Sequence, residues 1–335
     1  MTDNNNYQQL TRTFQRLSRF SHLAAIAGWD MFAMMPPGGS RARGEALAEL
    51  GVLQHQILTD KKVGEWLENA LQEDLNDLEQ ANLREMTRQY QQAALLPESL
   101  VEAKSLAGSR CEHAWRSQRP ANDWQGFAEN LREVVKLSRE EAQIRADAKG
   151  SSRYDALLDI FEPDMTSARL DVLFADLKSW LPSLLANVVD KQAQKTLLEP
   201  QGPFAINDQR ELGLEAMRVL GFDFDGGRLD ISAHPFCGGV PEDVRITTRY
   251  NENDLLSALF GVIHETGHAR YEQNLPRNWL DQPVGLARST AIHESQSLFF
   301  EMQLGRSEAF LNRLLPAVRQ RFGDQPAFSA ENFIA

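Results

Sequence analysis

His264-Glu265-Thr266-Gly267-His268 puts two imidazoles and a carboxylate within five residues, a spacing suited to hydrolysis at a metal ion. With about 3.6 residues per helical turn, positions four apart share one face, so both rings can reach one ion while Glu265 flanks it as a base. The alternative is that two unrelated histidines fit a short pattern by accident, an uncommon coincidence in a chain with only 7 histidines. The preceding residues read as the helix that carries them. Asn253 or Asp254 can cap its start, and Leu255, Leu256, Ala258, Leu259, Phe260, Val262 and Ile263 supply an apolar surface.

A catalytic zinc normally takes a third protein ligand and leaves a position for water. The place to look is a second helix downstream with an acid or a histidine facing inward. Gly285 to Met302 reads as that helix, with Ile292-His293-Glu294-Ser295-Gln296 at its centre. Glu294 is the preferred ligand and His293 its rival, because adjacent helical positions point about 100° apart and rarely hold one ion together. The bland reading of Glu294 is a solvated surface carboxylate.

The elements that must position these residues are mostly helical. Up to about residue 200 helical periodicity dominates, broken by turn signals at Met35-Pro36-Pro37-Gly38-Gly39, Leu96-Pro97, Arg119-Pro120, Lys149-Gly150-Ser151 and Glu162-Pro163. Gly126 to Ala148 is charge-rich and reads as a solvated helix face. A further helix is expected from Asn207 or Asp208 to Leu220, stopped by Gly221. Arg228–Phe236 and Asp243–Tyr250 then read as the two strands of an antiparallel hairpin just ahead of the metal helix, carrying His234, Arg245, Arg249 and Tyr250 toward the site. An extended peptide could pair with the edge of such a sheet; equally, the hairpin could be scaffold, with Asp243 and Arg245 holding its geometry.

Composition narrows the function classes. The chain has 335 residues, 42% hydrophobic and 24% charged, which suits a protein with a large core. A net charge of −12 argues against nucleic acid as a partner. The polar first twenty residues lack the apolar region of a signal peptide, and no run of about eighteen apolar residues suggests a membrane span. With two cysteines, Cys111 and Cys237, in no metal-binding or disulfide pattern, the expectation is a cytoplasmic protein. Cys237 reads as a buried inert thiol rather than a site residue.

The motifs Trp29-Asp30 with Met34-Met35-Pro36, His234-Pro235-Phe236, Asp243-Val244-Arg245-Ile246-Thr247, HETGH at 264–268 and HESQ at 293–296 occur in the order found in the carboxypeptidase Taq (M32) family. The chain resembles that family of metallocarboxypeptidases over nearly its whole length. The resemblance implies metal binding by His264, His268 and Glu294, with Glu265 as general base, and it places the His234 and Asp243 motifs at the active-site groove. The expected fold is mainly α: one multi-helix domain over 1–335, around a deep groove, with a small antiparallel β-hairpin beside the HExxH helix. Within it, 1–200 would be the helical N-terminal part and 201–335 the hairpin and metal-site part. The implied partners are peptides with a free C-terminus and a second copy of the chain in a homodimer. Zn²⁺ suits a His₂Glu set, with Co²⁺ as an alternative.

Two later family motifs, Arg-x-x-Ala-Asp and Gly-x-x-Gln-Asp-x-His-Trp, have no counterpart before Ala335. A helix capped by Ser329 begins only at Ala330. The sequence therefore reads as lacking the C-terminal part of the family domain, and that part includes some substrate contacts. Substrate contacts expected within the chain, and donors toward a tetrahedral oxyanion, are His234, Arg245, Arg249 and Tyr250. Two readings compete with a carboxypeptidase: a catalytically silent metal-binding or helical interaction protein, marked by bound metal without hydrolysis, and another HExxH hydrolase such as an aminopeptidase.

Overall fold

A computed structural model describes residues 5–334. Its helices and one small sheet fall into two compact units, the first running to Ile160 and including Leu275–Ala287, the second comprising Phe161–Asn274 and Arg288–Ala335. The division near residue 200 expected from the sequence falls inside the second unit.

The first unit contains α1 (Asn6–Ala33), α2 (Ser40–Leu58), α3 (Lys61–Ala70), α4 (Asp77–Ala94), α5 (Glu98–Gln118), α6 (Trp124–Lys149) and most of α7 (Arg153–Phe161). Turn chemistry sets these limits. Asn5 caps α1 through the Gln8 amide, Asn76 and Glu79 form a capping box on α4, and Gly150 ends α6 at φ 64°. Tyr7, Leu10, Phe14 and Leu17 fall three or four residues apart, so α1 presents one apolar stripe to Val63, Leu67 and Ala70 of α3 and Leu83 and Met86 of α4. The buried Asn82 amide donates to Tyr7 Oη and Gln282 Oε1, each at 3.1 Å, and its carbonyl accepts from the Val284 amide at 3.2 Å. Those bonds fasten the returning segment to the unit. One expectation is corrected here. Glu141 and Arg145 of α6 are not solvated; they are 4% and 8% exposed and pair at 2.8 Å, because α6 lies against α5, where Lys104 also reaches Glu141. A charge-rich stretch conceals its buried pair when the partner lies on a distant helix.

The second unit contains α8 (Ser167–Gln192), α9 (Ile206–Val219), β1 (Gly227–Ile231), β2 (Cys237–Val240), β3 (Asp243–Thr248), α10 (Leu255–Gln273), α11 (Thr290–Leu298), a π-helical continuation Phe299–Gly305, α12 (Glu308–Phe322) and α13 (Ala330–Ile334). The sheet order is β1-β3-β2. An antiparallel hairpin is present, but its strands are β2 and β3, with Cys237 opposite Ile246 and Val240 opposite Asp243. The Arg228–Phe236 run instead supplies β1, which pairs parallel to β3. Fully buried Val244 and Ile246 of the central strand lie in one cluster with Leu229, Met217 of α9 and Val262 and Ala269 of α10. A second cluster joins Leu255, Leu259 and Ile263 of α10 to Leu311, Leu314 and Val318 of α12 and Phe333 of α13. Ser329 caps α13 as expected, accepting from the Asn332 amide at 3.1 Å.

Helix α8 differs from the rest. From Asp171 to its end every residue is exposed, including Leu177, Trp180, Leu181, Leu184 and Leu185. By length and composition alone it could cross a membrane, although it carries Asp176, Lys178 and the internal Pro182.

Candidate metal centre

α10 positions the HExxH motif through burial. Asp254 caps its first turn by accepting from the Ser257 amide at 3.0 Å. Leu255, Leu259, Val262, Ile263, Thr266 and Ala269 are 3% exposed or less, which fixes the helix between the sheet and α12. His264 and His268 then emerge on one face with ring centroids 5.0 Å apart.

Gly267 brings Glu294 within reach. A Cβ at this position would lie 2.6 Å from Ser297 Cα and 3.0 Å from Gln296 O, so only glycine lets α11 approach α10 this closely. Across that contact Glu294 Oε2 lies 3.2 Å from His268 Nε2 and 3.9 Å from His264 Nε2. The donor atoms of His264, His268 and Glu294 all lie within 4.8 Å of one another, a set that could hold a metal ion. Two imidazoles and one carboxylate are the donors of a catalytic zinc site, and three of them leave a coordination position for water.

The rings are oriented from behind. His264 Nδ1 lies 3.0 Å from Glu301 Oε2; an ionised carboxylate only accepts, so His264 donates from Nδ1 and keeps a lone pair on Nε2. Arg306 lies 3.5 Å from the other oxygen of Glu301 and 4.2 Å over the Phe260 ring. Behind His268, its Nδ1 meets His293 Nδ1 at 2.7 Å, and His293 Nε2 meets Glu272 Oε1 at 2.8 Å. Burial, reinforced by the neighbouring rings of His293 and His264, lowers the His268 pKa to about 4, so the ring is neutral at neutral pH.

Glu265 is 7% exposed, and its Oε2 is buried with no hydrogen-bond partner among the described residues. Burial first, and then the Glu294 carboxylate, push its pKa up to about 7. Such a group can exchange a proton near neutral pH.

His234, Arg245, Arg249 and Tyr250 are not in the ligand cluster. His234 is exposed between β1 and β2, its Nδ1 3.1 Å from the Pro235 carbonyl. Arg245 donates to both carboxylate oxygens of Asp243 at 2.8 and 2.6 Å, which raises its pKa further and engages its charge within the hairpin. Arg249 is exposed just after β3. Tyr250 is half-buried, its hydroxyl has no partner among the described residues, and burial pushes its pKa to about 12. Burial holds the Cys237 thiol protonated, with the carboxylates of Glu265 and then Glu272 adding to the effect.

Glu272 and Glu301 did not emerge from the sequence. Glu272 follows His268 by four residues and Glu301 follows Glu294 by seven, so each shares a helical face with a member of the cluster. That spacing was the available signal.

A family model described as Carboxypeptidase Taq (M32) metallopeptidase matches residues 9–335. Thermostable carboxypeptidase 1 of Thermus thermophilus is 37% identical over 346 residues, covering 99% of this chain and 68% of that protein. Carboxypeptidase 1 of Bacillus subtilis is 34% identical over 300 residues, covering 88% of this chain and 59% of that protein. Among solved structures, Trypanosoma cruzi metallocarboxypeptidase 1 aligns with a TM-score of 0.89 at 48% identity, over 98% of this chain and 67% of that one. An M32 carboxypeptidase from Deinococcus radiodurans aligns with a TM-score of 0.84 at 31% identity, over 98% of this chain and 66% of that one. The chain thus spans 59% to 68% of the length of these relatives.

Proposed function

Because the chain belongs to the carboxypeptidase Taq (M32) family of metallopeptidases, we propose that it removes residues from the C-terminal end of peptides at a zinc site formed by His264, His268 and Glu294, with Glu265 as general base. The observation that carries this reading is the convergence of three donor groups beside a buried carboxylate whose second oxygen has no partner among the described residues.

A divalent cation bound there supplies Lewis-acid polarisation of the scissile carbonyl and lowers the pKa of an attacking water. The chain's residues do the rest. His264 and His268 present Nε2 lone pairs, and Glu294 contributes a negative charge. Glu265 accepts a proton from the water at Oε2 and returns it to the leaving amine; a pKa of about 7 suits both transfers. Exposed Arg249 is the candidate for a fork on the terminal carboxylate, since Asp243 already engages Arg245. His234 and Tyr250 remain candidate donors to the oxyanion. Cobalt is an alternative ion for the same donors. A cytoplasmic setting fits the two free thiols, and a homodimer is the assembly to test by light scattering.

The test supplies an N-blocked peptide with a free C-terminus to the 335-residue chain loaded with Zn²⁺ or Co²⁺. Stepwise loss of C-terminal residues, falling by about 10²–10⁴-fold in Glu265→Gln with metal content unchanged, supports the proposal. Turnover that survives this substitution, or cleavage that needs a free N-terminus, overturns it.

A further inference from the structure

The ring behind His268 is another histidine, and the wiring around it determines which nitrogen of His268 can bind a metal. His293 Nε2 lies 2.8 Å from Glu272 Oε1. An ionised carboxylate has no proton to donate, so the N–H is on His293 Nε2. In neutral His293 the lone pair is then on Nδ1, 2.7 Å from His268 Nδ1. For that contact to be a hydrogen bond, His268 must carry its proton on Nδ1, which leaves the Nε2 lone pair facing Glu294 Oε2 at 3.2 Å. The opposite tautomer of His268 would set two lone pairs against each other at Nδ1 and place an N–H where a ligand is needed. Tyr271 stacks on His293 with centroids 4.5 Å apart and planes 27° apart, which holds the ring in the plane this wiring requires.

We infer that His293 and Glu272, braced by Tyr271, form a positioning relay that fixes the metal-binding tautomer and ring plane of His268, so that His293 serves the metal from the outer shell and not as a ligand. The inference rests on the zinc reading above. It makes the two ligating histidines unequal. His264 leans directly on Glu301 at 3.0 Å, whereas His268 reaches its carboxylate through an interposed ring. Outer-shell partners of ligating histidines commonly change metal affinity by about 10–100-fold. Losing His293 also removes Glu272 from the chain of contacts, so His293 is the more sensitive position.

The test is zinc affinity by competition with a fluorescent chelator, using the full 335-residue chain, together with the visible spectrum of the Co²⁺ form. His293→Ala is expected to weaken zinc binding by about 10–100-fold and to alter the Co²⁺ bands. His293→Gln, whose side-chain oxygen can accept from His268 Nδ1, should recover part of that loss. Glu272→Ala, which removes the acceptor from His293 Nε2, should weaken binding by less than His293→Ala and serves as the second variant if His293→Ala does not fold. Unchanged zinc affinity in folded His293→Ala, or in Glu272→Ala if that is the variant obtained, overturns the relay and leaves the zinc site standing. A wild-type chain whose zinc binding is indifferent to His264→Ala and Glu294→Ala overturns the site and the relay together.

Discussion

Helices α10 and α8 invert the ordinary relation between composition and burial. α10 carries two histidines and two glutamates and is among the most buried helices of its unit, whereas α8 is leucine-rich and exposed from Asp171 onward. What separates them is the company each keeps. α10 has the sheet on one side and α11, α12 and α13 on others, so its two histidines meet specific partners such as Glu301 and Glu294. Apolar residues lower the free energy only when another surface covers them, and among the described residues none buries α8.

The largest contrast should come from truncating the core face of α10. Ile263, fully buried between α12 and the helix Gly305 ends, should cost about 2–5 kcal/mol as Ile263→Ala in urea unfolding, a cavity penalty α8 cannot show. Next is Gly267→Ala, where the new methyl meets the Ser297 backbone. Overpacking there should cost about 1–3 kcal/mol and weaken zinc binding, because α11 must move away with Glu294. Zinc affinity at the wild-type level in this variant would show that the close approach does not place the third ligand.

A smaller effect is expected beside α10 at Cys237. Burial raises its folded pKa above the unfolded value of about 8.5, so the folded state holds the extra proton. That contribution is intact below pH 8.5 and is lost as pH rises beyond it. Thermal melts from pH 8 to 10 should therefore fall less steeply for Cys237→Ala than for the wild type. The smallest change belongs to α8: Leu181→Ser and Leu184→Ser, 44% and 49% exposed in the native chain, should each alter stability by no more than about 0.5 kcal/mol. A loss comparable to that of Ile263→Ala would mean that α8 is covered in solution.

Local signals carried far in this sequence. The proline and glycine breaks fall between helices, Asp254 and Ser329 cap where a cap was expected, and Gly221 follows α9 at φ 79°. The spacing of the histidines and the apolar setting of Glu294 picked out the three residues whose donor atoms converge. Nonlocal arrangements were not legible. β1 pairs parallel to β3 although β2 comes between them in the chain, and strand runs in sequence do not reveal such a pairing. The burial of Glu141 depends on Lys104, thirty-seven residues away on another helix. Glu272 and Glu301 lie at helical distances from His268 and Glu294, yet a glutamate on such a face is ordinary until the second helix is in place.

The π-helical stretch Phe299–Gly305 has a consequence for how this site can evolve. A π-turn holds about one more residue than an α-turn, because its bonds run from i to i+5. Deleting one residue between Glu294 and Glu301 would let the segment rewind to ordinary α-helix with its backbone bonds intact. Because Glu301 lies inside that stretch, the shortened spacing would also rotate it relative to Glu294 and out of its contact with His264. The extra residue therefore acts as a register key: a change of length that the helix tolerates would separate Glu294 from the carboxylate that orients His264.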